Sequence, residues 1–109
     1  LVGVLSDLHA NLPALQAVLD DVPAVDALCC AGDVVGYNPW PGECVDTMRD
    51  RDVPTVMGNH DRMVVTGGNF HGNAMAAAGV AHARERLDDD QRAWLAALPD
   101  VGRTRVVRI

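Results

Sequence analysis

Gly32-Asp33-Val34-Val35-Gly36-Tyr37-Asn38-Pro39-Trp40-Pro41-Gly42-Glu43 follows directly on the apolar run Ala27-Leu28-Cys29-Cys30-Ala31. A short, continuous apolar run that ends in glycine and aspartate reads as a strand buried on both faces, stopping at a tight polar turn. The same pattern stands on either side of it. Residues 1–5 lead into Ser6-Asp7-Leu8-His9, and residues 53–57 lead into Gly58-Asn59-His60-Asp61. Positions 7, 33 and 59 are evenly spaced, 26 residues apart, close to the length of one strand-helix-strand unit. In a parallel sheet built from such units every strand ends on the same edge, and the residues just beyond those ends share one crevice. The spacing therefore predicts an α/β fold that gathers Asp7, His9, Asp33, Asn59 and His60.

Helical patterns fill the intervals. Leu12, Leu15, Val18 and Leu19 recur at helix spacing after Asn11, a good N-cap, with Pro13 tolerated in the first turn. Residues 41–51 form the second predicted helix, opened by Pro41 with Glu43 early and Arg49 and Arg51 late. A Gly/Asn-rich stretch over 66–73 precedes an alanine-rich helix over 74–87. Asp88-Asp89-Asp90 then opens a shorter helix through Leu98, Pro99-Asp100 turns the chain, and 103–109 alternates like one more strand. No linker interrupts the 109 residues, which read as a single domain.

Composition narrows the setting. The chain is 49% apolar with a mean hydropathy near zero, and no apolar run approaches the length needed to cross a bilayer. Nothing resembles a signal peptide, and Cys29, Cys30 and Cys44 make a poor disulfide framework, so a reducing cytoplasm is the expected compartment. The cysteines read as packing residues. All nine basic residues are Arg, and the net charge is −6. That balance argues against a general nucleic-acid-binding surface and against anionic membranes. An Asp-rich, Lys-free make-up suits either a high-salt cytoplasm or GC-rich coding.

Ligand types suggest the chemistry. Carboxylate, imidazole and amide oxygen form a mixed O/N set suited to Mn²⁺, Fe, Zn²⁺ or Ni²⁺ rather than to thiolate-loving ions. Asp33, on the middle strand, can offer one oxygen to an ion held by Asp7 and His9 and the other to an ion held by Asn59. Two ions about 3.5–4 Å apart can hold a bridging hydroxide and clamp a phosphate during in-line attack, which makes phosphate-ester hydrolysis the expected reaction. His60 stabilises charge or protonates the leaving oxygen, with Asp61 orienting its imidazole. Gly32 and Gly58 allow tight backbone turns beside the ions. Tyr37 and Trp40 either wall a substrate pocket or pack against Pro39 and Pro41. Arg62 is a phosphate contact or, more simply, a surface ion pair. His71 and His82 have no polar partner at useful spacing, and Met57, Met63 and Met75 read as core.

Asp7-x-His9, Gly32-Asp33 and Gly58-Asn59-His60-Asp61, in this order and spacing, resemble the first three signature blocks of the calcineurin-like metallophosphoesterases. The runs from Ser6 to Leu15 and from Gly32 to Glu43 are most similar to its small prokaryotic phosphodiesterase-like members. The resemblance implies a sandwich of two sheets flanked by helices, of which this chain carries the amino-terminal half. It implies two divalent ions, Mn²⁺ first among the candidates, with Asp7 and His9 on one, Asn59 on the other and Asp33 bridging. It makes His60 the acid or charge stabiliser, and a phosphodiester or phosphomonoester the substrate.

Two departures follow. Ala10 stands where the family has glycine, which is harmless if its φ is negative. The family's later His motifs have no counterpart before Ile109, and Leu1 begins inside a strand, so the chain reads as a fragment at both ends. The isolated 109 residues are expected to bind metal weakly and turn over little. The competing reading is a non-catalytic half-domain or scaffold, self-associating through an exposed sheet edge or paired with a second chain. A doubly wound nucleotide-binding domain fits less well, because the turn after the first run lacks the glycines that cradle a pyrophosphate.

Overall fold

The computed structural model describes residues 1–67 and 73–102. Strand β1 (Val2–Leu5) is followed by helix α1 (Leu12–Asp21), strand β2 (Ala27–Cys30) and helices α2 (Pro41–Asp50), α3 (Asn59–Thr66), α4 (Ala74–Arg86) and α5 (Asp89–Ala96). The two strands pair in parallel, with Val2 opposite Ala27 and Leu5 opposite Cys30. The predicted strand over 103–109 and residue His71 lie outside the described residues.

The third predicted strand is reduced to one bridge, Cys30 to Thr55, in the parallel sense. Pro54 supplies the reason. Without an amide it has no ladder bond to donate, although its carbonyl accepts from Cys30 N at 2.8 Å, and Val56 N donates to Cys30 O at 3.1 Å. The order across the layer remains β1, β2 and then the 53–57 segment, so Asp33 leaves the middle element as its sequence position predicts.

Strand β1 differs from expectation in burial. Val4 is 58% exposed and Leu1 78%, and among the described residues the outer edge of β1 has no partner strand. Only the inner half of the sheet is covered. Cys29 and Cys30 are fully buried, and the core beneath them joins Leu15, Leu19, Val34, Val35, Val45 and Met48 to Val64, Val80, Leu87 and Leu95. Burial pushes the Cys30 thiol up to about 11 and that of Cys44 to about 12, so both pack as neutral side chains. Met75, predicted to be core, is 70% exposed because it lies on the outer face of α4, whose buried stripe is Ala76, Gly79, Val80 and Ala83.

The helix ends follow their sequence signals. Asn11 accepts from Ala14 N at 3.2 Å and Asn73 from Ala76 N at 2.8 Å. At α5, Asp88 and Gln91 cap reciprocally, and the Gln91 amide reaches on to Gly42 O and Asp46 Oδ1, tying α5 to α2. Helix α3, a stretch to which the sequence reading assigns no element, starts inside the third motif. Asp61 at its third position accepts from Gly58 N at 3.0 Å, a capping contact that was legible in the Gly-x-x-Asp spacing.

Candidate metal centre

Beyond the carboxyl ends of the strands the loops pair with one another. Asp7 N donates to Gly32 O at 3.0 Å, His9 N to Asp33 O at 2.8 Å, Ala10 N to Val34 O at 2.8 Å, and the Asn38 side chain to His9 O at 2.9 Å. This second ladder bends both loops over the sheet edge and carries a conformational cost. Asp7, His9, Ala10, Asp33 and Tyr37 all have left-handed backbone, with φ of 57°, 48°, 56°, 56° and 59°. Residues so held cost of order 1 kcal/mol each and cluster at functional sites. Ala10 thus departs from the negative φ that would make it harmless. It is fully buried and bonded on both sides, its carbonyl accepting from Trp40 N, and those bonds hold it there.

Asp7, His9 and Asp33 converge, with one donor atom from each within 4.8 Å of the others. Two donors on one ion about 2.1 Å away span at most about 4.2 Å, so a small turn of the exposed Asp7 side chain closes the set. His9 Nδ1 lies 3.4 Å from the Val35 carbonyl, which can only accept, so this contact favours the tautomer with its proton on Nδ1. Nε2 faces Asp7 Oδ1 across 3.3 Å, where it donates when protonated and offers its lone pair to an ion set between the two. The Ser6 hydroxyl, 2.6 Å from Asp7 Oδ2, and then the neighbouring His9 hold the Asp7 carboxyl below its ordinary value against a small cost of burial.

Asn59 also approaches Asp33. Its terminal amide lies 3.0 and 3.2 Å from the two Asp33 oxygens. With nitrogen inward it donates to the carboxylate; with oxygen inward it needs a cation between them. Two glycines admit this crowding. A Cβ on Gly58 would stand 2.2 Å from Asp33 Oδ1, so Gly58 is required by close approach rather than by a turn, its φ being −84°. Gly32 meets both needs, with φ +105° and a would-be Cβ 2.6 Å from Gly58 N.

Asp61 ties backbone to backbone. Its carboxylate, fully buried, accepts from Asp33 N at 2.9 Å, Gly58 N at 3.0 Å and Val35 N at 3.2 Å. It staples the second and third motifs together through the backbone. Burial pushes it up to about 6 even though those amides favour its charged form. His60, 6% exposed, gives its backbone N–H to Asp33 Oδ1 at 3.0 Å, and its ring stands against those of His9 and Tyr37. Arg62 pairs with Asp100, the surface ion pair expected. His82 Nε2 lies 3.2 Å from Pro39 O, away from the cluster. An open trough of about 250 Å³ runs from Asp7 and His9 along Leu5, Leu8, Leu15 and Val18; neither Tyr37 nor Trp40 lines it.

The family model for calcineurin-like phosphoesterases matches residues 1–106. The chain belongs to this family. A metallophosphoesterase from Sphaerobacter thermophilus has 34% sequence identity and superposes with a TM-score of 0.77, over 94% of this chain and 43% of its own. An uncharacterized protein of Methanocaldococcus jannaschii is 34% identical over 102 residues, 91% of this chain and 42% of the relative. A hypothetical protein from Pyrococcus horikoshii, 17% identical with a TM-score of 0.70 over 91% of this chain and 48% of its own, shares the fold. The chain therefore spans less than half the length of these relatives. The calcineurin-like phosphoesterase architecture here is its amino-terminal portion, mixed α/β on a parallel sheet, with an Asp-His-Asp group placed to take a divalent ion.

Proposed function

We propose that this chain carries the metal-binding and acid-base motifs of an enzyme that hydrolyses a phosphodiester or phosphomonoester. The observation that supports it most is the position of the Asp33 carboxylate, which has an oxygen within 4.8 Å of donor atoms of Asp7 and His9 and lies within 3.2 Å of the Asn59 amide. Two divalent ions, Mn²⁺ foremost, would be held by Asp7, His9 and Asp33 and by Asp33 and Asn59. When bound, such ions polarise phosphoryl oxygens and lower the pKa of water.

The chain's own residues do the rest. His9 fixes its ring by Nδ1 to Val35 O and keeps Nε2 as a donor atom. His60, buried and anchored through its backbone to Asp33, stands beside that pair as the group that neutralises charge or protonates the leaving oxygen. Asp61 holds Asp33 and Gly58 at the required separation. In this reading the 109 residues form one domain of a cytoplasmic enzyme.

The assay is release of p-nitrophenol from aryl phosphate mono- and diesters, with and without Mn²⁺. The expected result is slow hydrolysis that stops with chelator and in Asp33→Asn. Hydrolysis indifferent to both would contradict the proposal. A second reading, a scaffold that associates through the sheet edge, is favoured by the exposure of Leu1, Val4 and Val18.

A further inference from the structure

We infer that Tyr37 is a positioning residue whose ring holds the His9 and His60 imidazoles in their site orientation; its consequence for metal affinity rests on the function proposed above. Its ring centroid lies 4.9 Å from that of His9, edge-on at 85°, and 5.0 Å from that of His60. The two imidazoles are themselves 4.8 Å apart. Each ring of the trio thus limits the rotation of the other two. Aromatic contacts at these separations favour edge-on and tilted geometry beyond simple area burial.

The surrounding chain is built to put the ring there. Tyr37 has φ +59°, a conformation that glycine or asparagine would adopt at less cost. Gly36 before it has φ +103°, and a Cβ there would stand 2.7 Å from His60 Nδ1, so the imidazole rests on bare backbone. Gly79 on α4 lies under Tyr37, where a Cβ would be 2.2 Å from Tyr37 N. Two glycines and one strained residue therefore fix a ring that remains 37% exposed. Burial is a weak reason for such a residue, whereas contact with both imidazoles accounts for it.

Substitution separates the ring from its bulk. Tyr37→Phe keeps the ring, and Tyr37→Leu keeps an apolar side chain without it. The first readout is the ¹H–¹⁵N imidazole spectrum of the metal-free chain, with thermal melts alongside. The expected result is a single sharp set of signals for His9 and for His60 in wild type and Tyr37→Phe, with His9 protonated at Nδ1. In Tyr37→Leu those signals broaden or report mixed tautomers, while the melting temperature stays within a few degrees. The second readout is Mn²⁺ affinity by calorimetry, expected to fall about 10-fold in Tyr37→Leu and to be kept in Tyr37→Phe, the size of loss seen when the groups that orient metal ligands are removed. Unchanged imidazole signals in Tyr37→Leu, or a fall in melting temperature shared equally by both variants, would overturn the inference. If the wild type binds no Mn²⁺, the metal reading fails and the imidazole spectra alone decide the role of Tyr37.

Discussion

Asp61 shows how much of a side chain's role lies in contacts made far along the chain. Its place after Asn59-His60 suggests service to the imidazole, and its oxygens take three backbone amides from two motifs. Sequence carries the residue type and hides the partner, because the amides of Asp33 and Val35 come from 28 and 26 positions away. Asparagine at this position keeps one acceptor and turns an N–H against one of those amides. Asp61→Asn is therefore expected to lose about 2 kcal/mol of stability by urea unfolding, and a change below about 0.5 kcal/mol would show that the amides do not depend on it. Ala10 teaches the same lesson, since its positive φ follows from bonds to Val34 and Trp40 that its own neighbours do not reveal.

Among the elements, the strand-helix rhythm was legible from residue 1 to residue 50 because each apolar run ends in its own motif, α1 starts at the Asn11 cap and α2 at Pro41. Helix α3 was not, since its eight residues are too few for a clear period and its start doubles as a motif. The shrinking of the third strand to one bridge was announced by Pro54, whose missing amide matters only once Cys30 is known to be its neighbour. Gly79 was hidden altogether within an alanine-rich run. Alanine for glycine inside a helix ordinarily adds about 0.5–1 kcal/mol. Here the added methyl would meet Tyr37 N, and Gly79→Ala is expected to lower stability by about 1–3 kcal/mol. A melting temperature above wild type would show that α4 does not press on the Tyr37 loop.

Across the whole molecule, the convergence of Asp7, His9, Asp33 and Asn59 was predictable from spacing alone, as was the α/β class, because both depend on strand order more than on side-chain detail. The exposed outer edge of β1 was not, and it bears on assembly. Leu1, Val4 and Val18 are exposed, and β1 has an edge with no partner strand among the described residues; such edges invite pairing. Light scattering of the chain is expected to show concentration-dependent association, weakened by Val4→Lys, which places a charge on the edge. A monodisperse monomer at all concentrations would remove the scaffold reading.

The central claim is that Asp33 is the shared carboxylate of a divalent-ion site assembled by three loops, and calorimetric titration with Mn²⁺ of the wild-type chain beside Asp33→Asn tests it most directly. The account predicts binding by the wild type that the substitution abolishes. Equal binding by both chains, or none by the wild type, would contradict it.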